Sequence, residues 1–257
     1  MFTSKILLFV TLKGIRYFYL TVLILAMLIL LNIAIIAQFG KSPLEGKSII
    51  IDPGHGGVDG GTNDGSSFLE KDVNLQIALK LQQVLEAEKA AVKLTRYEDV
   101  SLDSQNNQSP SRHTRDLIAR TAQFNSGRYD IFISIHVNRA KTSRAIGPMV
   151  LYWTKDERNS ILATCLQDNL NRHSEANLGK TAIHSPVKYN YFILRNSKIP
   201  GAIVETGFIS NPTEKRLLKD ESYQLKLCNA ICDGIKDYFY MINEGGRDFV
   251  NFEENES

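Results

Sequence analysis

The sequence predicts a single α/β domain whose mainly parallel or mixed sheet, of about six strands, lies between helices. Two observations support this fold class. Short continuous runs of Ile, Val and Leu alternate along the chain with helical patterns of apolar and charged residues. Such uninterrupted apolar runs are typical of strands that are covered on both faces. The length of 257 residues is sufficient for one sizeable domain with short accessory segments.

The predicted strands and helices alternate in the order expected of this class. Strands are predicted at Ser48–Ile51, Ala91–Thr95, Ile131–Ile135, Met149–Tyr152, Tyr191–Leu194 and Ala202–Val204. Between them, apolar residues recur every three or four positions, which indicates amphipathic helices. Helices are predicted from Lys71 to Lys89, up to about Asn125, around Ile161–Leu170 and around Leu227–Phe239.

An apolar, uncharged segment from Phe18 to Ala37 predicts an amino-terminal transmembrane helix, because about 20 such residues match the thickness of a bilayer. Lys5, Lys13 and Arg16 precede it, so the positive-inside rule places the amino terminus in the cytoplasm and the domain outside. A cleaved signal peptide, which would leave the domain secreted, is the competing interpretation. We expect an uncleaved anchor, since the apolar region is long and Ala34–Ala37 is a poor cleavage site.

These features divide the chain into a basic cytoplasmic amino terminus (1–17), a transmembrane segment (18–38), a linker (39–46), one folded domain (47–241) and an acidic flexible tail (242–257). The net charge of +2 gives no indication of nucleic-acid binding. The three cysteines are odd in number and lie in apolar helical patterns, which predicts buried thiols and no disulfide framework. They are Cys165, Cys228 and Cys232.

His55, Glu70 and His136 form a candidate metal site although they are far apart in the sequence. His55 follows the first predicted strand, His136 ends the third, and Glu70 opens the first helical pattern. The carboxyl ends of strands meet at one edge of an α/β sheet, so these side chains can converge. Two imidazoles and one carboxylate are the ligands of a catalytic zinc ion that keeps one position open for water. The sequence therefore predicts one Zn²⁺ in the domain.

Glu205 directly follows the predicted strand Ala202–Val204 and can reach the same edge. A carboxylate there could take the proton of a metal-bound water. Each of the four residues also has a simpler interpretation when it is taken alone. His55 could be a loop residue, His136 a core histidine, Glu70 a favourable helix-terminal acid and Glu205 half of an ion pair. The combination of all four favours the site.

The remaining motifs restrict the chemistry further. His113, His173 and His184 lie in polar stretches and are not expected to bind metal, although His184 is the next candidate base after Glu205. The glycines of residues 54–61 fit neither the dinucleotide-binding pattern nor the P-loop. The absence of His-Glu-x-x-His and Gly-x-Ser-x-Gly argues against a thermolysin-like protease and a serine α/β-hydrolase.

Five sequence blocks resemble, in order and across residues 46–240, the signature blocks of zinc-dependent N-acetylmuramoyl-L-alanine amidases. They are Ile51–Gly61, Glu70–Leu75, Leu94–Arg96, Phe132–Asn138 and Ile203–Glu214. The resemblance implies that His55, Glu70 and His136 hold zinc and that Glu205 is catalytic. It also implies a peptidoglycan substrate, cut at the amide between the muramic-acid lactyl group and the first L-alanine of the stem peptide.

Within this family, the single anchor and the bare catalytic domain are most similar to the germination-specific spore-cortex amidases of the CwlD type. That resemblance implies a role in muramic δ-lactam formation with a cooperating deacetylase, and it leaves open an accessory protein that assists zinc binding. Two features depart from the family pattern: the loop Thr62–Phe68 and Arg139, which follows His-Val-Asn. Both could alter metal affinity or substrate fit.

Two alternatives from other functional classes remain open. An extracytoplasmic zinc peptidase acting on wall peptides would use the same ligands, since both enzymes hydrolyse amides. A catalytically silent wall-binding module would be favoured if a ligand or Glu205 were missing, and none is.

Overall fold

The computed structural model describes residues 16–32, 41–65, 68–179 and 182–253, and it divides the chain into two units, Met1–Ser42 and Pro43–Ser257. In the first unit, helix α1 covers residues 16–32 and exposes its side chains. None of the helices in the described part of the chain is both long enough and apolar enough to span a bilayer. The predicted transmembrane segment 18–38 is therefore not supported by the described helices, and its residues 33–38 lie outside them.

The second unit contains a six-stranded mixed sheet, which confirms the predicted fold class. Its strands are β1 (Ser48–Pro53), β2 (Ala91–Leu94), β3 (Ile131–Asn138), β4 (Met149–Tyr152), β5 (Val187–Lys188) and β6 (Gly201–Phe208). They lie in the order β2-β1-β3-β6-β4-β5. The first four strands of this order are mutually parallel, whereas β4 is antiparallel to β6 and parallel to β5.

The described α-helices of this unit are α2 (Glu70–Ala87), α3 (Arg112–Phe124), α4 (Glu157–Asn177), α5 (Phe192–Asn196), α6 (Pro212–Leu217) and α7 (Glu221–Glu253), and a short 3-10 helix covers Asp103–Gln105. The four predicted helices correspond to α2, α3, α4 and α7. Helix α7 continues past the predicted domain end at residue 241 and into the predicted tail. Two consecutive glycines in this stretch weaken a helix by about 1 kcal/mol each and do not end it as a proline would. Residues 254–257 of the predicted tail lie outside the described residues.

The predicted strand Tyr191–Leu194 is wrong, because Phe192–Asn196 forms helix α5 and the edge strand β5 lies just before it. Ile193 and Leu194 are both buried in one hydrophobic cluster. Successive residues of a strand would point to opposite faces of the sheet. An apolar run this short has no periodicity that distinguishes a helical turn from a strand.

Helices cover both faces of the sheet. On one face, alternate residues of β1, β3 and β6 pack with α2, α4 and α7 in the larger core cluster. On the other face, Ile50, Phe132 and Ile203 pack against Phe124 of α3 and Ile193 of α5. The rings of Phe124 and Phe132 stack with centroids 4.4 Å apart. The three cysteines are free and buried, as predicted.

The face toward α3 and α5 changes from apolar to polar along the strands. Asp52 follows Ile50 by two residues on β1, and Glu205 follows Ile203 by two residues on β6. Side chains two residues apart on a strand point to the same face. The apolar half of this face therefore anchors the helices, and the polar half lies at the carboxyl edge of the sheet, where the candidate site forms.

Gly234 of α7 allows close contact with α4. A Cβ atom at this position would lie 2.7 Å from the Cα of Leu166 and 3.0 Å from the carbonyl oxygen of Cys165. Because these are backbone atoms, the two helices would have to separate. We expect Gly234→Ala to lower the free energy of unfolding by about 1–3 kcal/mol, although alanine gains about 1 kcal/mol in helix propensity over glycine.

Urea unfolding of the variant measures this difference. The matched control is Asn229→Ala at an exposed position of the same helix, which should change the free energy of unfolding by less than about 0.5 kcal/mol. An unchanged or higher unfolding midpoint for Gly234→Ala would contradict the close contact between α4 and α7.

Candidate functional site

His55, Glu70 and His136 lie together at the carboxyl edge of the sheet. Each offers one ligand atom, and these atoms lie within 4.8 Å of one another. Glu70 Oε1 lies 3.2 Å from His55 Nε2 and 3.0 Å from His136 Nδ1. The two imidazole rings are T-shaped, with centroids 5.0 Å apart. The structure thus brings the three predicted ligands into one group that could hold a metal ion.

His55 is held by the loop that follows β1. The preceding residue, Gly54, still donates its amide to the carbonyl of Ile135 at 2.9 Å, and His55 then adopts a φ of +61°. This left-handed conformation is uncommon for any residue other than glycine. His55 Nδ1 lies 3.0 Å from Asp59 Oδ2, which leaves Nε2 facing Glu70. A carboxylate behind a ligating histidine fixes its tautomer and ring orientation.

Glu70, the first residue of α2, is buried with both carboxylate oxygens hydrogen-bonded. Oε2 accepts from the amide of Thr62 at 2.7 Å. Oε1 accepts from the amide of Val137 at 3.1 Å and from the side chain of Asn74 at 3.3 Å. These donors come from the loop before α2, from β3 and from the next turn of α2. The carboxylate is therefore fixed by three separate segments before any metal binds.

His136 and Glu205 are direct register partners on the parallel strands β3 and β6, so they share one face of the sheet. The His136 ring lies over Gly54, where a Cβ atom would come within 2.3 Å of it. Glu205 Oε2 is shielded from solvent and has no hydrogen-bond partner among the described residues. The structure thus places Glu205 beside the three candidate ligands with one carboxylate oxygen still free to accept or donate.

The charges at the site shift the pKa values in opposite directions. Burial lowers the pKa of His55, but the carboxylates of Glu70 and Asp59 outweigh burial and raise this pKa to about 9. Burial also raises the pKa of Glu70, but the two histidines outweigh it and hold this pKa far below its usual range. The pKa of Glu205 is raised, first by burial and also by the charge of Glu70. The carboxyl of Glu70 thus favours its ionised form, whereas that of the neighbouring Glu205 is shifted toward its neutral form.

These side chains line a cavity of about 280 Å³, together with Tyr191, His113 and Arg139. A guanidinium nitrogen of Arg139 donates to the carbonyl of Asn63 at 2.7 Å. The two departures from the family pattern, Arg139 and the loop 62–68, are therefore in contact with each other. Residues 66 and 67 of this loop lie outside the described residues.

The remaining histidines have different positions. His184 does not line the cavity, and its Nε2 lies 2.7 Å from the carbonyl oxygen of Ile146, so the geometry does not support it as an alternative base. His173 packs against the ring of Tyr223. His113 does line the cavity, with its Nδ1 3.9 Å from Asp59 Oδ2.

Sequence analysis missed Asp59 and Asn74. Asp59 follows His55 by four residues in the glycine-rich loop, and Asn74 follows Glu70 by one helical turn. Both orient a candidate ligand. The spacing of Asn74 from Glu70 is a signal that could have identified it, since residues four apart on a helix share one face, whereas Asp59 lies in a loop where spacing gives no such signal.

The donor set fits a zinc ion. Two imidazole nitrogens and one carboxylate converge from a loop, a strand and a helix, and the three atoms are close enough to share one ion. This combination is the one that catalytic zinc sites use when they keep a position for water.

Comparison with known proteins identifies the family. Residues 49–237 match the family model described as N-acetylmuramoyl-L-alanine amidase. The chain belongs to this amidase family. The germination-specific N-acetylmuramoyl-L-alanine amidase of Bacillus subtilis is 37% identical over 198 residues, which cover 77% of this chain and 81% of that protein.

Two further relatives are similar. The Staphylococcus aureus protein described as "Probable cell wall amidase LytH" is 36% identical over 201 residues, which cover 77% of this chain but 60% of that protein. The CwlD amidase of Clostridioides difficile, solved in complex with the GerS lipoprotein, matches with a TM-score of 0.68 at 34% identity. That match covers 76% of this chain and 99% of CwlD. The resemblance inferred from the five sequence blocks is confirmed, including its similarity to the CwlD type.

The metal-free protein should titrate at His55 well above neutrality. Because Glu70 and Asp59 raise the pKa of His55 from 6.5 to about 9 in the folded state, the ion pairs stabilise the fold fully below about pH 6.5. This contribution is lost as pH rises through about 9. It is at most about 3.5 kcal/mol, since each tenfold change in proton affinity corresponds to about 1.4 kcal/mol.

An NMR titration of His55 in the metal-free protein, with unfolding measured at pH 6.5 and 9, tests this expectation. Asp59→Asn is the control, since it removes one of the two charges and should lower the His55 pKa. A midpoint near 6.5 in the unaltered chain would contradict the pairing with Glu70 and Asp59.

Proposed function

We propose that this chain is a zinc-dependent hydrolase of the amide bond between N-acetylmuramic acid and the L-alanine of peptidoglycan stem peptides. The observation that supports this most strongly is the convergence of His55, Glu70 and His136 in one cavity with Glu205, whose Oε2 has no hydrogen-bond partner in the described part of the chain. Family membership supports the choice of bond. The ligand chemistry supports zinc.

In this proposal, His55, Glu70 and His136 hold the ion, which when bound supplies an acidified water and polarises the scissile carbonyl. Glu205 accepts the proton of the attacking water and passes it to the leaving amine of L-alanine. Its shielded position raises its pKa toward the range in which one carboxyl can both take and return a proton. Glu70, which accepts three hydrogen bonds, is unsuited to that task because its proton affinity is too low.

The cavity size agrees with an exposed polymeric substrate. A volume of about 280 Å³ is enough for the lactyl group and the first residue of a stem peptide. The glycan strand and the rest of the peptide would then lie over the surface outside the cavity.

The similarity to the germination-specific amidase and to CwlD supports a narrower role, by analogy. We infer that this chain removes stem peptides during spore-cortex maturation, so that a deacetylase can form muramic δ-lactam for germination. Since CwlD was solved in complex with the GerS lipoprotein, we also infer an accessory lipoprotein that assists zinc binding in this chain.

We propose that residues 18–38 anchor the chain in the membrane, with the amino terminus in the cytoplasm and the amidase domain outside, where peptidoglycan lies. The apolar, uncharged sequence and the basic residues before it support this orientation. Cleavage of this segment would instead leave a secreted domain.

The orientation predicts that a reporter active only outside the cytoplasm works when fused after Ser257. Deleting residues 18–38 is the matched control and should abolish reporter activity, because the fusion then stays in the cytoplasm. Activity of a cytoplasm-only reporter at the same position would contradict the proposed orientation.

Products separate the amidase from the alternative zinc peptidase. We expect purified peptidoglycan to yield intact stem peptides with a free L-alanine amino group and glycan strands with a free lactyl carboxyl. Mass spectrometry of the digest distinguishes these from shortened stem peptides, which a peptidase acting on wall peptides would release. No cleavage of any bond, with zinc bound, would favour the silent wall-binding module.

The roles of His136 and Glu205 can be separated by substitution. His136→Ala should leave a folded domain that binds zinc poorly, because it removes one of three ligands. Glu205→Gln should keep zinc but lose about 100- to 10,000-fold in turnover, since the amide cannot accept a proton. Metal analysis and product formation measure the two effects. A zinc-free Glu205→Gln variant would place Glu205 among the ligands, and near-normal turnover would assign the base elsewhere.

A further inference from the structure

Two buried arginines, Arg96 and Arg120, lie behind the loop that carries His55, and neither belongs to the predicted ligand set. We propose that both are positioning residues for the metal site. Their guanidinium groups hold three consecutive backbone carbonyls, Pro53–His55, and thereby fix the direction in which the His55 ring leaves the loop. This inference rests on the assignment of His55 as a ligand in the proposed function.

The contacts form a continuous clamp along the loop backbone. The carbonyl of Pro53 accepts from Arg96 Nε at 3.0 Å and from Arg120 Nη1 at 2.9 Å. The carbonyl of Gly54 accepts from Arg96 Nη2 at 3.0 Å, and that of His55 accepts from Arg120 Nη2 at 2.6 Å. Where strand β1 ends, arginine side chains therefore donate the hydrogen bonds that the backbone amides of a neighbouring strand would otherwise donate to these carbonyls.

Arg96 also links the His55 loop to the helix that carries Glu70. Its Nη2, which donates to Gly54, donates in addition to the carbonyl of Lys71 at 2.9 Å. Lys71 is the residue directly after Glu70. One guanidinium nitrogen thus sets the distance between the backbones that present two of the three candidate ligands.

The loop needs such support because its backbone is in an unusual conformation. His55 has a φ of +61°, and a side chain other than glycine stays in this region only when its surroundings hold it there. Asp59 contacts the ring of His55, whereas the carbonyl of His55 accepts from Arg120. The arginines hold the backbone, so ring and backbone have separate constraints.

The free-energy cost of burying two guanidinium groups argues against a merely structural role for these arginines. Both arginines are 2% exposed. Asp52 and Asp116 neutralise Arg120, each at 2.6 Å. Arg96 forms no ion pair within 4.0 Å among the described residues, and its hydrogen bonds go to carbonyl oxygens. Apolar residues of similar volume often replace buried ion pairs such as those of Arg120 without loss of stability, and Arg96 is buried without such a pair, so stability alone does not account for the two guanidiniums here.

The test uses the full chain with Arg96→Lys or Arg120→Lys. Lysine keeps the positive charge but cannot form the forked contacts to two or three acceptors. We expect the zinc dissociation constant, measured by competition with a chelator, to rise about 10- to 100-fold, as for other residues that orient metal ligands. The visible absorption bands of the cobalt(II)-substituted protein should also shift, because they report ligand geometry and not stability.

The control is Arg115→Lys on the same helix as Arg120. Arg115 also donates to backbone carbonyls, those of Asp103 and Ser109, but it makes no recorded contact with the His55 loop. The Arg115→Lys substitution should therefore leave the zinc affinity and the spectrum of the cobalt(II)-substituted protein unchanged.

A double-mutant cycle excludes a general loss of stability. If Arg120 acts through His55, Arg120→Lys should weaken zinc binding strongly in the unaltered chain but hardly change the weak binding that a His55→Ala chain keeps through Glu70 and His136, measured by direct titration with the metal in excess. Equal losses in both backgrounds would overturn the proposal, as would unchanged zinc affinity and cobalt spectra in folded variants. If Arg120→Lys does not fold, Arg96→Lys is tested in the same cycle, and failure of both to fold with excess zinc would assign a structural role instead.

These measurements need no substrate, so they are independent of which amide the enzyme cuts. An unaltered chain that binds no zinc would refute the metal site of the proposed function, whereas a zinc-binding chain with unaffected arginine variants would refute only the positioning role.

Discussion

The candidate site depends first on the parallel register of β1, β3 and β6. This register places His136 directly opposite Glu205. It also ends β1 at Pro53, directly before the loop that carries His55. A slip of one residue on either neighbour would turn every side chain of that strand to the other face. The buried isoleucines of both faces prevent such a slip, because it would bring Asp52 or Glu205 into the apolar core. The hydrophobic pattern therefore fixes the chemistry as well as the fold.

The same face of the sheet explains how a buried arginine of α3 can hold the loop that carries His55. Stacking of Phe124 on Phe132 seats α3 on the apolar half of the face. One turn earlier on α3, Arg120 then reaches over the polar half and meets Asp52 on β1. Apolar packing thus determines where a buried charge lies, and that charge in turn holds the backbone of the loop. The two halves of the face have different roles but form one structural unit.

Much of this architecture could be predicted from the sequence, because long buried strands and ligand-type residues leave strong local signals. His55, Glu70 and His136 each stand next to a recognisable strand or helix start, and the structure unites them. The arginine clamp was not predicted: Arg96 lies in the block Leu94–Arg96, but nothing in that block assigns it a contact, and Arg120 lies in none of the blocks. Arg120 lies 65 residues from His55, on a helix where a charged residue predicts a solvent-exposed position, and only the folded chain shows their contact. The predicted strand Tyr191–Leu194 was wrong because its apolar run is too short to show whether its period is that of a strand or of a helix.

Two glutamates that line the same cavity as His55 and His136 differ because of what surrounds each carboxylate. Glu70 accepts backbone hydrogen bonds on both oxygens and contacts both imidazoles, so its ionised form is strongly preferred. Glu205 has an oxygen that is shielded from water and accepts no hydrogen bond from the residues that the structure describes, so burial favours its neutral form. A ligand must stay ionised to hold a cation, whereas a proton carrier must bind and release a proton near the working pH. The surroundings of these two carboxylates therefore suit them to different roles, and exchanging the roles would require rebuilding the backbone donors around Glu70.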